Sequence, residues 1–261
     1  MFRFSVIELK RQLAYPVTFI IKLILPSIVK ILGVFLIWQA VIYENPGGLK
    51  DYSASFLSGY SILAPAIYVF LRPEHGFIIR EVYDGTIQRY FLLPVSFFSI
   101  AFSRHLGFLI ARMPEILVAF CITIYLSGSQ LSLFQFLVFL CFCFMSSILL
   151  FLCFCAAELV SLVLEEGWSI SHILDRIVMV LSGMAFPITM LPDSALKILQ
   201  LTPFPLMSFV PTYQLLNPSG ASFSFEIVKL LMLYSVWILL FALLSHALYE
   251  TGRKTYSPYG T

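Results

Sequence analysis

Residues 132–157 form an uninterrupted apolar run, SLFQFLVFLCFCFMSSILLFLCFCAA, that contains no Asp, Glu, Lys or Arg. About 20 helical residues cross the roughly 30 Å of a bilayer's hydrocarbon core, so this run is long enough to span a membrane. Inside a bilayer every backbone N–H and C=O has to be paired within the protein, which only helices and closed barrels achieve. The chain shows no recurring period-two alternation of the barrel type. The sequence therefore predicts an all-α integral membrane protein.

The rest of the chain has the same character. Hydrophobic residues make up 60% of the sequence and charged residues 11%, which is outside the range of soluble domains. Six stretches are predicted to be membrane-spanning helices, at about 20–42, 52–71, 106–127, 132–157, 173–191 and 225–249. No repeat, low-complexity tail or linker divides the sequence, so residues 1–261 are predicted to form a single membrane domain.

Positive charge is concentrated on one side of the predicted spans. The N-terminal segment, the link between spans two and three, and the C-terminal segment carry Arg3, Lys10, Arg11, Arg72, Arg80, Arg89, Arg104, Arg253 and Lys254. The links on the other side carry only Lys50, Lys197 and Lys229. Because Lys and Arg accumulate in cytoplasmic loops, both termini are predicted to be cytoplasmic, in a multi-pass protein of the plasma (inner) membrane. The net charge is only +2, so the charge balance says nothing about nucleic acid, and no nucleic-acid partner is predicted.

The first residues predict a different kind of helix. In residues 2–14, Phe2, Val6, Leu9 and Leu13 recur at spacings of three and four, while the basic residues point elsewhere. This pattern predicts an amphipathic helix that lies in the membrane interface and leads into span one. The segment lacks the apolar core and small-residue cleavage site of a removable signal peptide.

The cysteines give no indication of a metal or redox site. All five lie inside apolar runs, at Cys121, Cys141, Cys143, Cys153 and Cys155. A Cys-x-Cys pair on a helix points its two sulfurs to different faces, so the pairs are poorly placed to share a ligand. The cysteines are therefore predicted to be free, buried or lipid-facing thiols, and no metal ligands are assigned.

A short charged segment, EVYDGTIQRYFLLPVS (81–96), interrupts the apolar chain between spans two and three. One stripe is apolar and is formed by Ile79, Val82 or Tyr83, Ile87 and Tyr90. The other is polar and is formed by Arg80, Glu81, Asp84 and Gln88. The spacing predicts a short amphipathic helix at the cytoplasmic surface, which Pro94 ends. An ordinary interfacial loop with charges facing water is the alternative.

The region after residue 181 is rich in proline, with Pro187, Pro192, Pro203, Pro205, Pro211 and Pro218. Proline removes a backbone donor, so this region cannot be one straight span, and span five is predicted to break near Pro187. The carbonyls freed at 182–187 must find partners on neighbouring helices, which predicts that this backbone is buried in protein. Alternatively, the prolines only shape an extracellular loop.

A short amphipathic helix is predicted to follow the break, at about 193–201. Its apolar residues Leu196, Leu199 and Leu201 are expected to face protein or membrane, and Asp193 and Lys197 to face water. Such a helix, folded back onto the outer side, would form a lid.

Two of these motifs resemble segments of the type-2 permeases of ABC exporters. Glu81, the pair Gly85–Thr86, Ile87 and Pro94 are similar to the cytoplasmic coupling helix that precedes span three in this family. Gln88 stands where members often have an acidic residue. The proline-broken fifth span and outer re-entrant helices of the family resemble a set formed here by Ser182, Gly183, Pro187, Pro192, Pro203, Phe204 and Pro211. Together with the six spans and the interfacial helix, the resemblance covers nearly the whole chain.

The resemblance implies a transport subunit rather than an enzyme. Such a permease pairs with a second permease, identical or different, and with two ATPase subunits that bind ATP and Mg²⁺. The chain itself has no G-x-x-x-x-G-K-[ST] phosphate loop, so another polypeptide is expected to hydrolyse ATP, and no cofactor is assigned to this chain. The residues implied to contact the ATPase are Glu81, Tyr83, Asp84, Gly85, Thr86, Gln88 and Arg89. The cargo, whether lipid-linked glycan, drug, peptide or lipid, stays open.

Several polar residues lie within or beside the predicted spans, where charge is costly and tends to face a cavity or a partner. They are Lys30, Arg112, Glu115, Glu158 and His246. Arg112 and Glu115 are three residues apart and can pair along one helix face. These residues could contact cargo or only support helix packing.

Two other classes of membrane protein are alternatives. An intramembrane serine protease would need a Ser and a His on adjacent spans, for example Ser58 or Ser182 with His246, but no Gly-x-Ser motif accompanies them. A channel would need a filter or an Arg ladder, and the sequence shows neither.

Overall fold

The computed structural model describes residues 2–49, 52–128, 132–164, 167–216 and 223–255. Residues 1, 50–51, 129–131, 165–166, 217–222 and 256–261 lie outside the described part of the chain, so the predictions for Lys50 and Pro218 are not described further. Apart from one isolated bridge between Leu49 and Tyr52, all regular elements of the described residues are helical, as the sequence predicts.

The first half of the chain contains α1 (Phe2–Ala14), α2 (Pro16–Phe19), a π-helix (Ile20–Ile24), α3 (Leu25–Glu44), α4 (Ala54–Leu71), α5 (Phe77–Tyr83), α6 (Gln88–Leu92) and α7 (Phe97–Ser127). The second half contains α8 (Leu133–Leu159), a 3-10 helix (Val160–Leu162), α9 (Gly167–Leu181), a 3-10 helix (Ile188–Met190), α10 (Asp193–Leu199), a 3-10 helix (Phe204–Met207), α11 (Phe209–Leu216) and α12 (Phe223–Thr255).

Five helical segments among the described residues are long and apolar enough to cross a membrane: Val17–Glu44, Ala54–Leu71, Phe97–Ser127, Leu133–Leu162 and Ile227–Thr255. They correspond to predicted spans one to four and six. The third begins at Phe97, earlier than predicted, because the Ser96 side chain accepts a hydrogen bond from the Ser99 N–H and caps the helix there.

Among the described residues, no helix long enough to cross a membrane corresponds to the predicted fifth span at 173–191. The observed helix, α9, runs from Gly167 to Leu181, and its 15 residues rise about 22 Å, too short to cross alone. It ends before Ser182 and Gly183, whose φ is +78°. The break therefore precedes Pro187 by several residues, since a glycine in the left-handed region already stops the helix.

The centre of the bundle is α4, which packs against α3, α7, α8 and α11. Small residues allow this close packing: a Cβ added to Gly59 would lie 3.1 Å from the Ser127 Cβ. The outer helices α3 and α12 each keep several large apolar side chains exposed, among them Leu36 and Leu243. Such surfaces suit contact with lipid or with another membrane protein.

The two ends of the described chain meet at one end of the bundle, which we call the α5 end. Here α5 and α6 lie beside α1, the first turns of α7 and the last turns of α12. The Tyr249 ring of α12 stacks on Phe97 of α7, with 4.9 Å between centroids. Six spans, with both termini on one side, stay a prediction. That this end is cytoplasmic stays a prediction from the charge distribution.

The helix α1 packs on α7 through small and polar residues. Ser5 Oγ donates a 2.7 Å hydrogen bond to the Ser103 carbonyl, and Glu8 is buried. A Cβ added to Gly107 would lie 2.4 Å from the Ser5 carbonyl oxygen. The face against the protein is thus the Ser5–Glu8 face, and Ile7 is exposed. Contact of α1 with the membrane interface stays a prediction.

We expect Gly107→Ala to destabilise the protein by about 1–3 kcal/mol, because the added methyl group overlaps the backbone of α1. The matched control is Gly33→Ala, where an added Cβ meets no atom within 4 Å. Thermal unfolding of the purified protein in detergent would compare the two variants. Equal midpoints for both would contradict the packing of α1 on α7.

Candidate functional site

The predicted coupling segment forms two short helices rather than one. The chain turns between α5 and α6 at Gly85, whose φ is +69°, and the Ile87 N–H donates a 2.8 Å hydrogen bond to the Glu81 carbonyl. Val82 and Ile87 are fully buried, whereas Tyr83 is 41% exposed. The apolar stripe therefore includes Val82 and not Tyr83, and it fixes the helix pair to the bundle.

Glu81 does not belong to the outward polar stripe predicted for it. Its carboxylate accepts hydrogen bonds from Thr86 Oγ1 at 2.5 Å, from Arg89 at 2.8 Å and from Arg104 at 3.1 Å. Burial raises the pKa of Glu81, but the hydrogen bonds from Thr86, Arg89 and Arg104 outweigh it, and the pKa lies below its usual value. Glu81 is therefore ionised at neutral pH and ties α5 to α6 and α7.

The other residues of the predicted ATPase contact differ in exposure. Gly85 and Thr86 are partly buried in the turn between the helices. The side chains that a second protein could reach are those of Tyr83, Asp84, Gln88 and Arg89.

Glu158 has a specific role that the sequence did not reveal. Its buried carboxylate accepts hydrogen bonds from the backbone N–H groups of Gly76, at 2.7 Å, and Ile78, at 2.9 Å. The ring of Trp168 of α9 packs against Gly76, since a Cβ added to Gly76 would lie 2.3 Å from this ring. The start of α5 is thus held by α8 and α9. The only signal in the sequence was an acidic residue directly after an apolar run of about 26 residues.

The sequence did not predict a buried ion pair that lies beside the start of α5. Asp175 of α9 lies 3.1 Å from the Arg72 guanidinium and accepts a 2.6 Å hydrogen bond from the Tyr68 hydroxyl. Arg72 also donates to His75 Nδ1 at 2.8 Å. Burial first, and then the nearby Arg72 and His172, lower the pKa of His75 to about 4, so its neutral ring can accept this bond. Asp175 lies inside the predicted fifth span. A charged residue in an apolar span was the one signal in the sequence that could have indicated this ion pair.

Near the break after α9, side chains of neighbouring helices satisfy the freed carbonyls. The Tyr60 hydroxyl of α4 donates to the Gly183 carbonyl, and the Trp38 indole of α3 donates to the Ala185 carbonyl at 2.7 Å. The Ser182 carbonyl accepts from a backbone N–H of α11 at 2.9 Å, and Ser182 is fully buried. The predicted burial of this backbone in protein is confirmed.

The short helix predicted after the break is also confirmed, as α10. Leu199 is buried and Leu196 packs against the main core, while Asp193 and Lys197 are exposed. Leu201 follows the helix and is 72% exposed, on the outside of the bundle, so it does not face protein.

The chain then returns into the bundle. The Leu206 carbonyl accepts hydrogen bonds from Ser146 Oγ, at 2.7 Å, and from the Tyr234 hydroxyl, and Ser208 Oγ donates to the Ala64 carbonyl at 2.7 Å. Ser146 and Ala64 lie near the middle of α8 and α4. From this depth α11 runs back toward the start of α4. We call this end of the bundle the α10 end.

The prolines of the predicted gate open the short elements of this segment. Pro187 precedes the 3-10 helix Ile188–Met190, Pro192 precedes α10, Pro203 precedes the 3-10 helix that Phe204 begins, and Pro211 lies in the first turn of α11. Proline fits these positions because the first helical N–H groups lack partners in any case.

The polar residues of the spans have different surroundings. Arg112 and Glu115 pair at 2.8 Å, as predicted, and Arg112 also donates to Ser27 Oγ of α3 and to the Val69 carbonyl of α4. His246 is exposed on α12, with its ring 6.4 Å from that of Phe98.

The residues considered for a protease are not brought together. Ser182 is buried beside Gly183 and Tyr60, near the α10 end, whereas His246 lies by Phe98 at the α5 end. Ser58 bonds to Gln39 between α3 and α4. The structure therefore contradicts a Ser–His pair built from these residues.

These features define a multi-pass helical membrane protein with a surface helix pair at one end and an interrupted helix near the other. Residues 24–260 match the family model described as ABC-2 family transporter protein. Since the match extends over most of the chain, the chain belongs to this family and is an ABC transporter membrane protein. No curated protein matches the sequence significantly.

We expect Glu158→Gln to loosen the start of α5, because the amide can accept fewer strong hydrogen bonds than the carboxylate. A loss of about 2 kcal/mol would accelerate amide hydrogen exchange at Gly76 and Ile78 by about thirtyfold. The control is Glu250→Gln, near the α5 end of α12. Unchanged exchange in Glu158→Gln would contradict the anchoring of α5 by Glu158.

Proposed function

We propose that this chain is the permease subunit of an ABC exporter. It would form the cargo path with a second permease, identical or different, and separate ATPase subunits would bind ATP and Mg²⁺ and drive export. Family membership supports this proposal, as does the absence of a phosphate loop from the sequence. The exposed apolar faces of α3 and α12 provide surfaces on which a second permease could pack.

The observation that carries the proposal is that hydrogen bonds fix α5 and α6 to the membrane-spanning helices. Glu158 anchors the start of α5 to α8, and Glu81 ties the helix pair to α7. On the opposite side, Tyr83, Asp84 and Gln88 are exposed. A helix pair that is exposed outside and fixed inside can transmit a displacement from a soluble partner to the spans. We therefore assign the ATPase contact to this exposed face.

The exposed face can be tested with the double variant Tyr83→Ala/Asp84→Lys. We expect co-purification of the ATPase subunit with the permease to fall by at least about tenfold, because the variant removes an aromatic contact and reverses a charge. ATP hydrolysis by the reconstituted complex should fall in parallel. The variant leaves the anchoring residues Glu81 and Glu158 intact.

The matched control is Asp193→Lys, which makes the same charge reversal at an exposed position on α10, away from the α5 end. It should leave ATPase association unchanged. If both charge reversals, or neither, weaken association, the ATPase contact is not on α5 and α6.

We further propose that the segment after α9 is the outer gate. Two observations support a movable lid: α10 is short and exposed on one face, and the backbone before it is held by side-chain donors, such as Tyr60 and Trp38, rather than by a helical ladder. Ser182 and Gly183, two of the predicted gate residues, lie at this interruption.

In a cysteine-less background, single cysteines at Leu196 and Leu199 should react slowly with a water-soluble maleimide in the resting state and faster when ATP is added. Both positions pack inward, so their labelling reports whether α10 lifts. Lys197→Cys is the control and should react equally in both states, because Lys197 is exposed. Nucleotide-independent labelling at all three positions would leave only a fixed loop.

A further inference from the structure

A basic cavity lies between α3 and α4, close to the α5 end. Its volume is about 190 Å³, and its lining includes the cationic residues Lys22, Lys30, Arg72 and Arg112, with Glu74 as the acidic one. This volume is several times the roughly 30 Å³ that one water occupies, so a small polyatomic anion fits. Pro26 forms part of the apolar wall.

The cations of this cavity are unevenly compensated. Arg72 and Arg112 each pair with a carboxylate, and Glu74 already accepts hydrogen bonds from two other arginines. Among the described residues, neither Lys22 nor Lys30 has a hydrogen-bond or ion-pair partner. Lys30 is partly buried in α3, where an unpaired cation is costly, and an anion in the cavity would remove this cost, while the exposed Lys22 adds a second positive charge at its edge.

The backbone is shaped so that both lysines face the cavity. The π-helix Ile20–Ile24 contains Lys22, and the Leu25 N–H donates to the carbonyl five residues earlier. Pro26 is the physical cause, because it cannot donate to the carbonyl of Lys22, four residues before it. Lys22, Pro26 and Lys30 are four residues apart, which places them on one side of the helix, and all three line the cavity. Single π-turns of this kind are frequent at functional sites.

An apolar surface adjoins the cavity on the membrane side of α3. Leu25 is 52% exposed, Val29 is 62% exposed and Leu32 is 49% exposed. A molecule that places an anion beside the two lysines could therefore lay a hydrocarbon chain along this face. The flexible stems of the lysines allow their ammonium groups to reach toward the membrane surface.

We propose that Lys22 and Lys30 form a binding site for a phosphate headgroup, which an anionic membrane lipid supplies. The site is distinct from the proposed ATPase contact and gate, and it depends on neither the cargo nor the motor. Its chemistry is shared by free phosphate, so the experiment has to separate the two sources.

The test is native mass spectrometry of the purified full-length chain, titrated in detergent with phosphatidylglycerol or with phosphatidylcholine. We expect Lys22→Gln and Lys30→Gln each to weaken phosphatidylglycerol binding by about fivefold, with little effect on phosphatidylcholine. Addition of inorganic phosphate distinguishes the sources. Displacement of the lipid would show that the phosphate group alone suffices, and retention would show that the acyl chains are also needed.

Two further variants serve as controls. Lys10→Gln makes the same charge change at an exposed position on α1 that does not line the cavity, and it should leave binding unchanged. Lys30→Arg keeps the charge and should retain phosphatidylglycerol binding. Native-like phosphatidylglycerol binding in both glutamine variants, or an equal loss of phosphatidylcholine binding, would overturn the proposal.

Discussion

The rest of the structure depends on one constraint, which is that backbone groups inside a bilayer must be paired within the protein. The five candidate membrane-spanning segments of the described chain meet it with helical hydrogen bonds. The helix α9 stops at Leu181, and the carbonyls beyond it are paired with side chains of other helices, including Tyr60 and Trp38. An interrupted helix is possible here because these donors surround it. The interruption is a place where the chain can change shape without first breaking a helical ladder.

The same kind of hydrogen bond organises the other end of the bundle. The first N–H groups of α5 are paired with the Glu158 carboxylate, which comes from a membrane-spanning helix. Glu81 then links α5 to α6 and α7 through Arg89 and Arg104. Two acidic residues, Glu158 on α8 and Glu81 on α5, thus fix the surface helices to the spans. Tyr83 and Asp84 stay exposed, and our proposal assigns the ATPase contact to them.

Much of this architecture could be predicted from the sequence because long apolar runs and proline clusters have few structural solutions. The positions of five spans, the Arg112–Glu115 pair and the short helix α10 follow from residue spacing alone. The bounds of α9 could not be predicted, because Gly183 ended the helix before any proline did. The contact of Glu81 with the bundle could not be predicted either, since its partner Arg104 is distant in sequence.

The sequence by itself determined the class of the protein, its helical architecture and the places where helices had to be interrupted. These properties depend on local composition and on the chemistry of proline, glycine and apolar runs. Only the tertiary structure decided which polar groups meet, such as Glu158 with Gly76, Asp175 with Arg72, and Lys30 with its cavity. Pairing between distant residues depends on how helices pack, and no spacing within one helix records it.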